Sequence, residues 1–418
     1  MKNKGYRTVL SEIAIVTQGQ SPKSVYYSTS EGVPFLQGNR TFGELYPKID
    51  TYTKQITRLA QKGDVLMSVR APVGDLNIAP CDLCIGRGLA TLRSKTCDNA
   101  FIYYALKYNV PNLLKQGSAT TFDSVNKDII NSFEIIIPKD ETTRIKVSTF
   151  MYDLDSKIHI NNQVIEQLNR IEEKLFNYWF LQFNYKNEKG QPYCESGGLM
   201  SFSKDIGISK PSSWETIPLG SYITIERGIS YKSDDLDGNG IPLINLNTFN
   251  TDSTYKISGL KSFSGKYSQS KILEPYSLLV CVTQQTSIDL VNNSDVIGKS
   301  FLLPDIFETD VVASMDVIKI NVKNGLNNFY LNQLFKTSFY HKYISGFANG
   351  TKIKHLDIEG ILNFPVVIPD LSVLNEFTSI IKPFEEIKSQ VIRENSKLAN
   401  LRDWLLPMLM NGQVTIND

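Results

Sequence analysis

The sequence predicts an α+β protein in which two similar mixed α/β domains are separated by an antiparallel, coiled-coil-like pair of long helices. Three observations predict it. From Arg144 to Phe183 the chain reads RIKVSTFMYDLDSKIHINNQVIEQLNRIEEKLFNYWFLQF, without Pro or Gly, and its apolar residues recur at gaps of three and four. A second run, Leu374 to Met410, has the same pattern. A shift of 230 or 231 residues superposes both the two runs and the segments that precede them.

Residues 1–140 form the first expected domain. Its strand candidates include Gly63–Val69 (GDVLMSV) and Phe133–Ile137 (FEIII), β-branched or apolar runs bounded by Gly or Pro. Asn99–Tyr108 reads as a helix with Asn99 at its N-cap. The first long helix is expected at 141–185; about 36 helical residues would extend roughly 54 Å, too far for a surface helix without a partner. Its seam is Leu154, Ile158, Ile165, Leu168, Ile171, Leu175 and Trp179, with Asn161 in the one empty position.

Residues 186–210 read as a polar linker without a core of its own. The second domain, 211–369, follows the plan of the first. LEPYSLLVCVT at 273–283 echoes AQKGDVLMSVR at 60–70, and FANGTKIKHLDIEGILNFPVVIP at 347–369 echoes QGSATTFDSVNKDIINSFEIIIP at 116–138. The second long helix is expected at 370–412, with seam positions Phe384, Val391, Leu398, Leu401, Leu405 and Leu409, and a short tail follows at 413–418. Pro383 and Pro407 are expected to kink or interrupt that helix.

With 418 residues, 41% hydrophobic and 21% charged, the chain can build two or three full cores of a soluble protein. No apolar run approaches the ~20 residues of a membrane span. The N-terminus lacks the pattern of a signal peptide, and five unevenly spaced cysteines make no disulfide framework, so a cytoplasmic location is expected. The net charge of +1 divides unevenly: residues 1–140 hold 17 Lys+Arg against 12 Asp+Glu, and residues 211–369 hold 13 against 15. Composition alone therefore identifies no nucleic-acid binder.

Catalytic and metal motifs are weak. Gly86-Arg87-Gly88 and Gly238-Asn239-Gly240 lack the third glycine and following helix of a dinucleotide fingerprint and read as turns. No phosphate-cradling GxxxxGK[ST] is present. Cys81 and Cys84 have no second pair, and the three histidines are scattered, so no metal site is expected. Glu172-Glu173-Lys174 resembles a nuclease fragment but reads as a solvated helix face, as does His159. Asn327-Asn328-Phe329-Tyr330 lacks the prolines of a base-gripping methyltransferase motif.

Loops rich in Gln, Asn, Arg, Ser and Thr suit a different task. Arg reads guanine edges, Asn and Gln read adenine edges, and Lys, Ser and Thr hold phosphates. Candidates in the first domain are Gln18, Gln20, Lys23, Asn39, Arg40, Arg70, Arg87, Ser118 and Thr120. Those in the second are Tyr231, Lys232, Asn245, Asn247, Gln284, Gln285, Lys299, Thr351, Lys352 and Lys354. For any one of them, a polar residue that merely faces water is an equally good reading.

The arrangement resembles the specificity subunits of type I restriction–modification systems over nearly the whole chain. The stretches that carry the resemblance are FNYWFLQFNYKNEKGQPYCESGG at 176–198, Trp214-Glu215, Leu219-Gly220, and LRDWLLPMLMNG at 401–412. The resemblance implies two target-recognition domains, each reading half of a split, asymmetric sequence in double-stranded DNA, with the helix pair setting the gap. It implies a non-catalytic chain that binds no cofactor and docks two methyltransferase subunits. S-adenosylmethionine, ATP and Mg²⁺ would then belong to partner subunits, and whether two motor–nuclease subunits also join is not legible in this chain. The alternatives are a self-sufficient modification enzyme or nuclease with an unrecognised site, and a scaffold that does not bind DNA.

Overall fold

The computed structural model describes residues 5–95, 99–116, 124–236, 238–285 and 296–416. The chain divides into two compact units: unit 1 is Met1–Gln163 with Glu394–Asp418, and unit 2 is Val164–Arg393. Each long helix therefore contributes one half to each unit, which differs from a division at residues 140, 185, 210 and 369. Among the described residues no helix is long and apolar enough to cross a membrane.

Unit 1 begins with β1 (Tyr6–Val9), the short α1 (Leu10–Ile13) and β2 (Ala14–Gln18), followed by β3 (Tyr27–Ser28), β4 (Val33–Leu36), β5 (Tyr52–Thr53) and β6 (Leu59–Ala60). It continues through β7 (Val65–Ser68), β8 (Leu76–Ile78), β9 (Leu83–Ile85) and β10 (Leu89–Ser94). Then come α2 (Asn99–Gln116), α3 (Lys127–Asn131), β11 (Glu134–Ile137) and the first long helix, α4 (Glu141–Phe176). The sheets are β1-β11, β2-β10-β7-β8 and β3-β5-β4-β9-β6, with β4 and β9 parallel. Asn99 is the first residue of α2 rather than its cap, because its side chain accepts a hydrogen bond from the Ser94 N–H (2.8 Å) and ties the helix to β10.

Unit 2 repeats this plan after a hairpin of β12 (Met200–Ser203) and β13 (Ile208–Pro211). Its strands are β14 (Glu215–Pro218), β15 (Ile223–Arg227), β16 (Ile241–Ile244), β17 (Lys261–Phe263), β18 (Leu278–Cys281), β19 (Thr283–Gln285), β20 (Ser300–Leu302), β21 (Val312–Ala313) and β22 (Val317–Val322). Helices α5 (Asn328–Lys336) and α6 (Ser338–Ile344) precede β23 (Ala348–Asn349), β24 (Ile353–Leu356), α7 (Ile358–Leu362), β25 (Pro365–Ile368) and the second long helix, α8 (Leu371–Met410). The sheets β14-β25 and β15-β22-β18-β20 reproduce β1-β11 and β2-β10-β7-β8 strand for strand, and β16 and β21 are parallel like β4 and β9.

The stretch expected to be a bare linker is folded. Tyr185 is buried and stacks between Tyr193 and Trp214 at ring separations of 4.8 and 4.9 Å. Asn184 donates to Glu195 and accepts from its backbone N–H. Aromatic burial outweighs the polar composition here, since each such ring is worth about 1.5–3 kcal/mol when fully covered.

The two long helices run antiparallel within each unit. In unit 1, Asp155 of α4 meets Arg402 of α8 at 2.6 Å, and Asn161 donates to Glu394 and Asn395, each at 2.8 Å. In unit 2, Glu172 meets Lys388, and Phe180 packs on Phe377 at 5.0 Å. Past Phe176, α4 widens into a π turn over Asn177–Leu181 that buries both Trp179 and Phe180. Seam residues Ile158, Trp179 and Leu409 are buried, and Leu154, Ile165, Leu168, Leu175, Phe384, Val391, Leu398 and Leu405 are half-buried.

Two seam expectations fail: Ile171 is 47% exposed and Leu401 is 40% exposed. The place next to Ile171 is taken by Glu172, which is fully buried rather than solvated. Lys388 Nζ lies 2.9 and 3.0 Å from its two carboxylate oxygens and 2.7 Å from Glu385, with Asn169 at 3.0 Å. Gln333 of α5 donates to the same Glu172 carboxylate at 2.9 Å. Burial, and then Glu385, push Glu172 above the usual carboxylate range. Burial opposes the charge on Lys388, but Glu385 and Glu172 outweigh it and hold its pKa above that of an ordinary lysine.

The expected interruptions at Pro383 and Pro407 do not occur, as α8 is continuous through both. Both proline rings are exposed while Ile381, Leu406 and Leu409 anchor the flanking turns in the cores, so each proline removes only one backbone donor. The helix ends where Gly412, at φ +73, lets Gln413 N–H reach Met408 O and its own N–H reach Leu409 O.

This packing predicts unequal outcomes for two substitutions on the pair. Glu172→Ala strands Lys388 with one carboxylate and should cost about 3–5 kcal/mol, whereas Leu401→Asp, at a position 40% exposed, should cost only about 1–2 kcal/mol. Urea unfolding of the two variants checks the contrast.

Candidate nucleic-acid interface

At the end of unit 1's two larger sheets, four loops meet through backbone hydrogen bonds. Gly19 N–H donates to Leu89 O, Gln20 N–H to Ile85 O, Gly86 N–H to Leu36 O, and Val69 N–H to Gly88 O. Val125 N–H donates to Val69 O, adding the segment before α3. A Cβ on Gly19 would overlap Gly86 O, so only glycine permits this approach. Ser21 completes the frame: its Oγ accepts from Gln37 Nε2 at 2.9 Å and from Arg87 N–H at 3.1 Å.

Unit 2 builds the same frame from different residues. Gly228 N–H donates to Val317 O, Ile229 to Ala313 O, Ser314 to Ile244 O, Val282 to Asp316 O, and Leu356 to Val282 O. The five bonds correspond one for one, so Gly19, Gln20, Arg87 and Val69 are the counterparts of Gly228, Ile229, Met315 and Val282. A Cβ on Gly228 would meet Ser314 O just as one on Gly19 meets Gly86 O.

The frame gathers most of the first-domain candidates. Gln18 ends β2, Gln20 and Lys23 follow it, Asn39 and Arg40 follow β4, Arg70 follows β7, and Arg87 sits at the β9–β10 turn. Gln20, Lys23, Arg40, Arg70 and Arg87 are exposed. Asn39 is held by Asp75 at 2.6 Å, and Arg40 by Asp50 at 2.7 Å. The hydrogen bond from Arg40 keeps the Asp50 carboxyl below its usual range. Ser118 and Thr120 lie outside the described residues, as does the Gln285 side chain.

In unit 2, Tyr231, Lys232 and Asn247 border the corresponding loops, and the Lys261 ammonium stands 5.8 Å from the Tyr231 ring centroid. Thr351 and Lys352 are exposed, and Lys354 is half-buried on β24. Lys299 donates to His341 Nε2 at 3.2 Å. Burial, and then the Lys299 charge, depress the His341 pKa to about 4, so this ring is neutral and can accept.

Two candidates belong to the scaffold. Asn245 is 2% exposed, donates to Gly259 O and accepts from Asn247 N–H. Gln284 is 3% exposed, and its Oε1 accepts from Val296 and Ile297 N–H. An amide buried to this extent and bonded to the backbone presents no edge to a base. Elsewhere, Asn327 caps α5 by accepting from Tyr330 N–H, and His159 is half-buried edge-on to Tyr46 at 5.0 Å rather than fully solvated. Cys84 is buried within β9, and no cluster of potential metal ligands occurs among the described residues.

Ser21, Ile229 and Met315 were not among the sequence candidates. Met315 is 49% exposed, and Ser230 Oγ donates to its sulfur at 3.7 Å. An apolar residue in a loop reads as core in a sequence; only the matched frame reveals these positions.

The family described as Type I restriction modification DNA specificity domain matches residues 7–170 and 211–398. The chain is 39% identical over 165 residues to the MjaX type I restriction enzyme specificity subunit of Methanocaldococcus jannaschii, a match that takes in 39% of each chain. It is 24% identical over 368 residues to that organism's MjaIX specificity subunit, covering 86% of this chain and 80% of that one. A crystal structure of a type I restriction–modification S subunit from M. genitalium superposes with a TM-score of 0.61 at 14% identity, covering 97% and 96% of the two chains, and supports the fold.

Two outcomes follow from this geometry. Gly19→Ala or Gly228→Ala should each lower stability by about 1–3 kcal/mol, read as a drop in Tm. An unfolded histidine titrates near 6.5, so the contribution of neutral His341 is complete above that pH and is lost as pH falls towards 4. His341→Gln should flatten that part of the pH–stability profile.

Proposed function

The chain belongs to the type I restriction–modification DNA specificity family, and from that premise we propose that each unit reads one half of a split, asymmetric target in double-stranded DNA. The observation that carries this reading is the twin loop frame. Its backbone is held by five matched hydrogen bonds in each unit, while the side chains it displays differ between them. A common scaffold with exchanged tips is what two half-sites of unlike sequence require.

In this reading the paired helices set the unspecified gap; a 36-residue α4 extends roughly 54 Å, against ~34–36 Å for one turn of duplex. The chain is non-catalytic and holds no cofactor. Two methyltransferase subunits dock on it and bring S-adenosylmethionine, and motor–nuclease subunits bring ATP and Mg²⁺. Partner subunits also supply much of the phosphate neutralisation that a chain of net charge +1 lacks. Its place of work is the cytoplasm, where the target DNA is.

Replacing residues 1–140 by those of another family member should change one half of the methylated motif and leave the other intact. Methylome sequencing of cells carrying the hybrid with its methyltransferase reads this directly; a change in both halves, or in neither, would refute the division of labour.

A further inference from the structure

The matched frames permit a comparison that neither unit offers alone. At the turn between the parallel-paired strand and the central strand of the four-stranded sheet, unit 1 places Arg87 and unit 2 places Met315. Backbone atoms on either side of the two residues are bonded identically: Gly86 N–H to Leu36 O and Val69 N–H to Gly88 O in one, Ser314 N–H to Ile244 O and Val282 N–H to Asp316 O in the other. Both side chains are exposed. Beside them the same exchange recurs, since exposed Gln20 is replaced by half-buried Ile229. A hydrogen-bonding pair in unit 1 has become an apolar pair in unit 2 on matched flanking backbone, with the Arg87 N–H held by Ser21 Oγ and the Met315 N–H by Ile229 O.

Ile229 packs partly against the small core of Leu243, Phe263 and Val312, whereas Met315 is 49% exposed at the loop tip. An apolar group in a major groove has one specific partner, the C5-methyl of thymine. A guanidinium at the same place matches the O6 and N7 acceptors of guanine through two parallel bonds. The Arg87 backbone N–H donates to Ser21 Oγ, which fixes the turn that carries the exposed side chain. Resting on the half-site reading above, we infer that Arg87 and Met315 are equivalent specificity-determining residues. Arg87 selects a guanine in the half-site of unit 1, and Met315 selects a thymine at the corresponding place in the half-site of unit 2.

The test uses the full chain co-expressed with its methyltransferase, carrying R87M, R87K or M315R, with methylome sequencing as readout and circular dichroism melts as the folding control. Wild type should show a guanine in one half of the motif. R87M and R87K should each lose discrimination at that position by at least about fivefold, without altering the other half. M315R should acquire a guanine preference at one position of the other half. R87K separates base reading from phosphate contact, because lysine keeps the charge but not the two-pronged geometry.

A motif unchanged in R87M, a motif retained in R87K, or a change in the half belonging to unit 2 would each overturn the assignment. A variant too weak to methylate in cells is read by competition gel shifts of its purified methyltransferase complex on duplexes varied at that base pair. Wild type showing no two-part motif would instead refute the half-site reading beneath it.

Discussion

Lys388, enclosed by Glu172 and Glu385, is the constraint on which the helix pair depends in unit 2. A purely apolar seam tolerates sliding by a turn, because one leucine serves much like another. A buried ammonium does not, since moving it from its carboxylates leaves charges unpaired at a cost of several kcal/mol. Unit 1 uses the same device in a milder form, with Asn161 bonded to Glu394 and Asn395, and Arg402 to buried Asp155. Such layers contribute little net stability over an apolar core, and their effect is to single out one register.

The loop frames divide labour differently. Their positions are fixed mainly by main-chain hydrogen bonds and close glycine contacts, to which unit 1 adds the Ser21 hydroxyl. Residues at the tips can therefore change from arginine to methionine without disturbing the fold. Two halves of one chain keep a common backbone frame while displaying unlike side chains at its tips.

Much of the architecture was legible in the sequence because periodicity and repetition are long-range signals. Seven apolar positions at gaps of three and four, broken only at Asn161, specify a helix whatever its neighbours, and the echo of 116–138 in 347–369 corresponds to α3–β11 and α7–β25. Glu172 was not legible, because a heptad reading sends charges outward and only the facing Lys388 reverses that choice. Tyr185 was lost among polar neighbours, although its stack with Trp214 folds the whole connection. The loop candidates were legible as a class but not individually. Asn245 and Gln284 share the composition of Asn247 and Gln20, and nothing local distinguishes an amide that braces the backbone from one that faces a groove. Met315 gave no signal at all, since its meaning depends on its counterpart in the other unit.

The central claim is that one chain reads two separate stretches of DNA with two differently dressed copies of one frame. Its most direct test is a missing-base interference footprint of the chain bound with its methyltransferase to a duplex containing the methylated motif. The account predicts two short blocks of sensitive bases, unlike in sequence, with an insensitive interval between them. A single uninterrupted block, or two blocks of the same sequence, would contradict it.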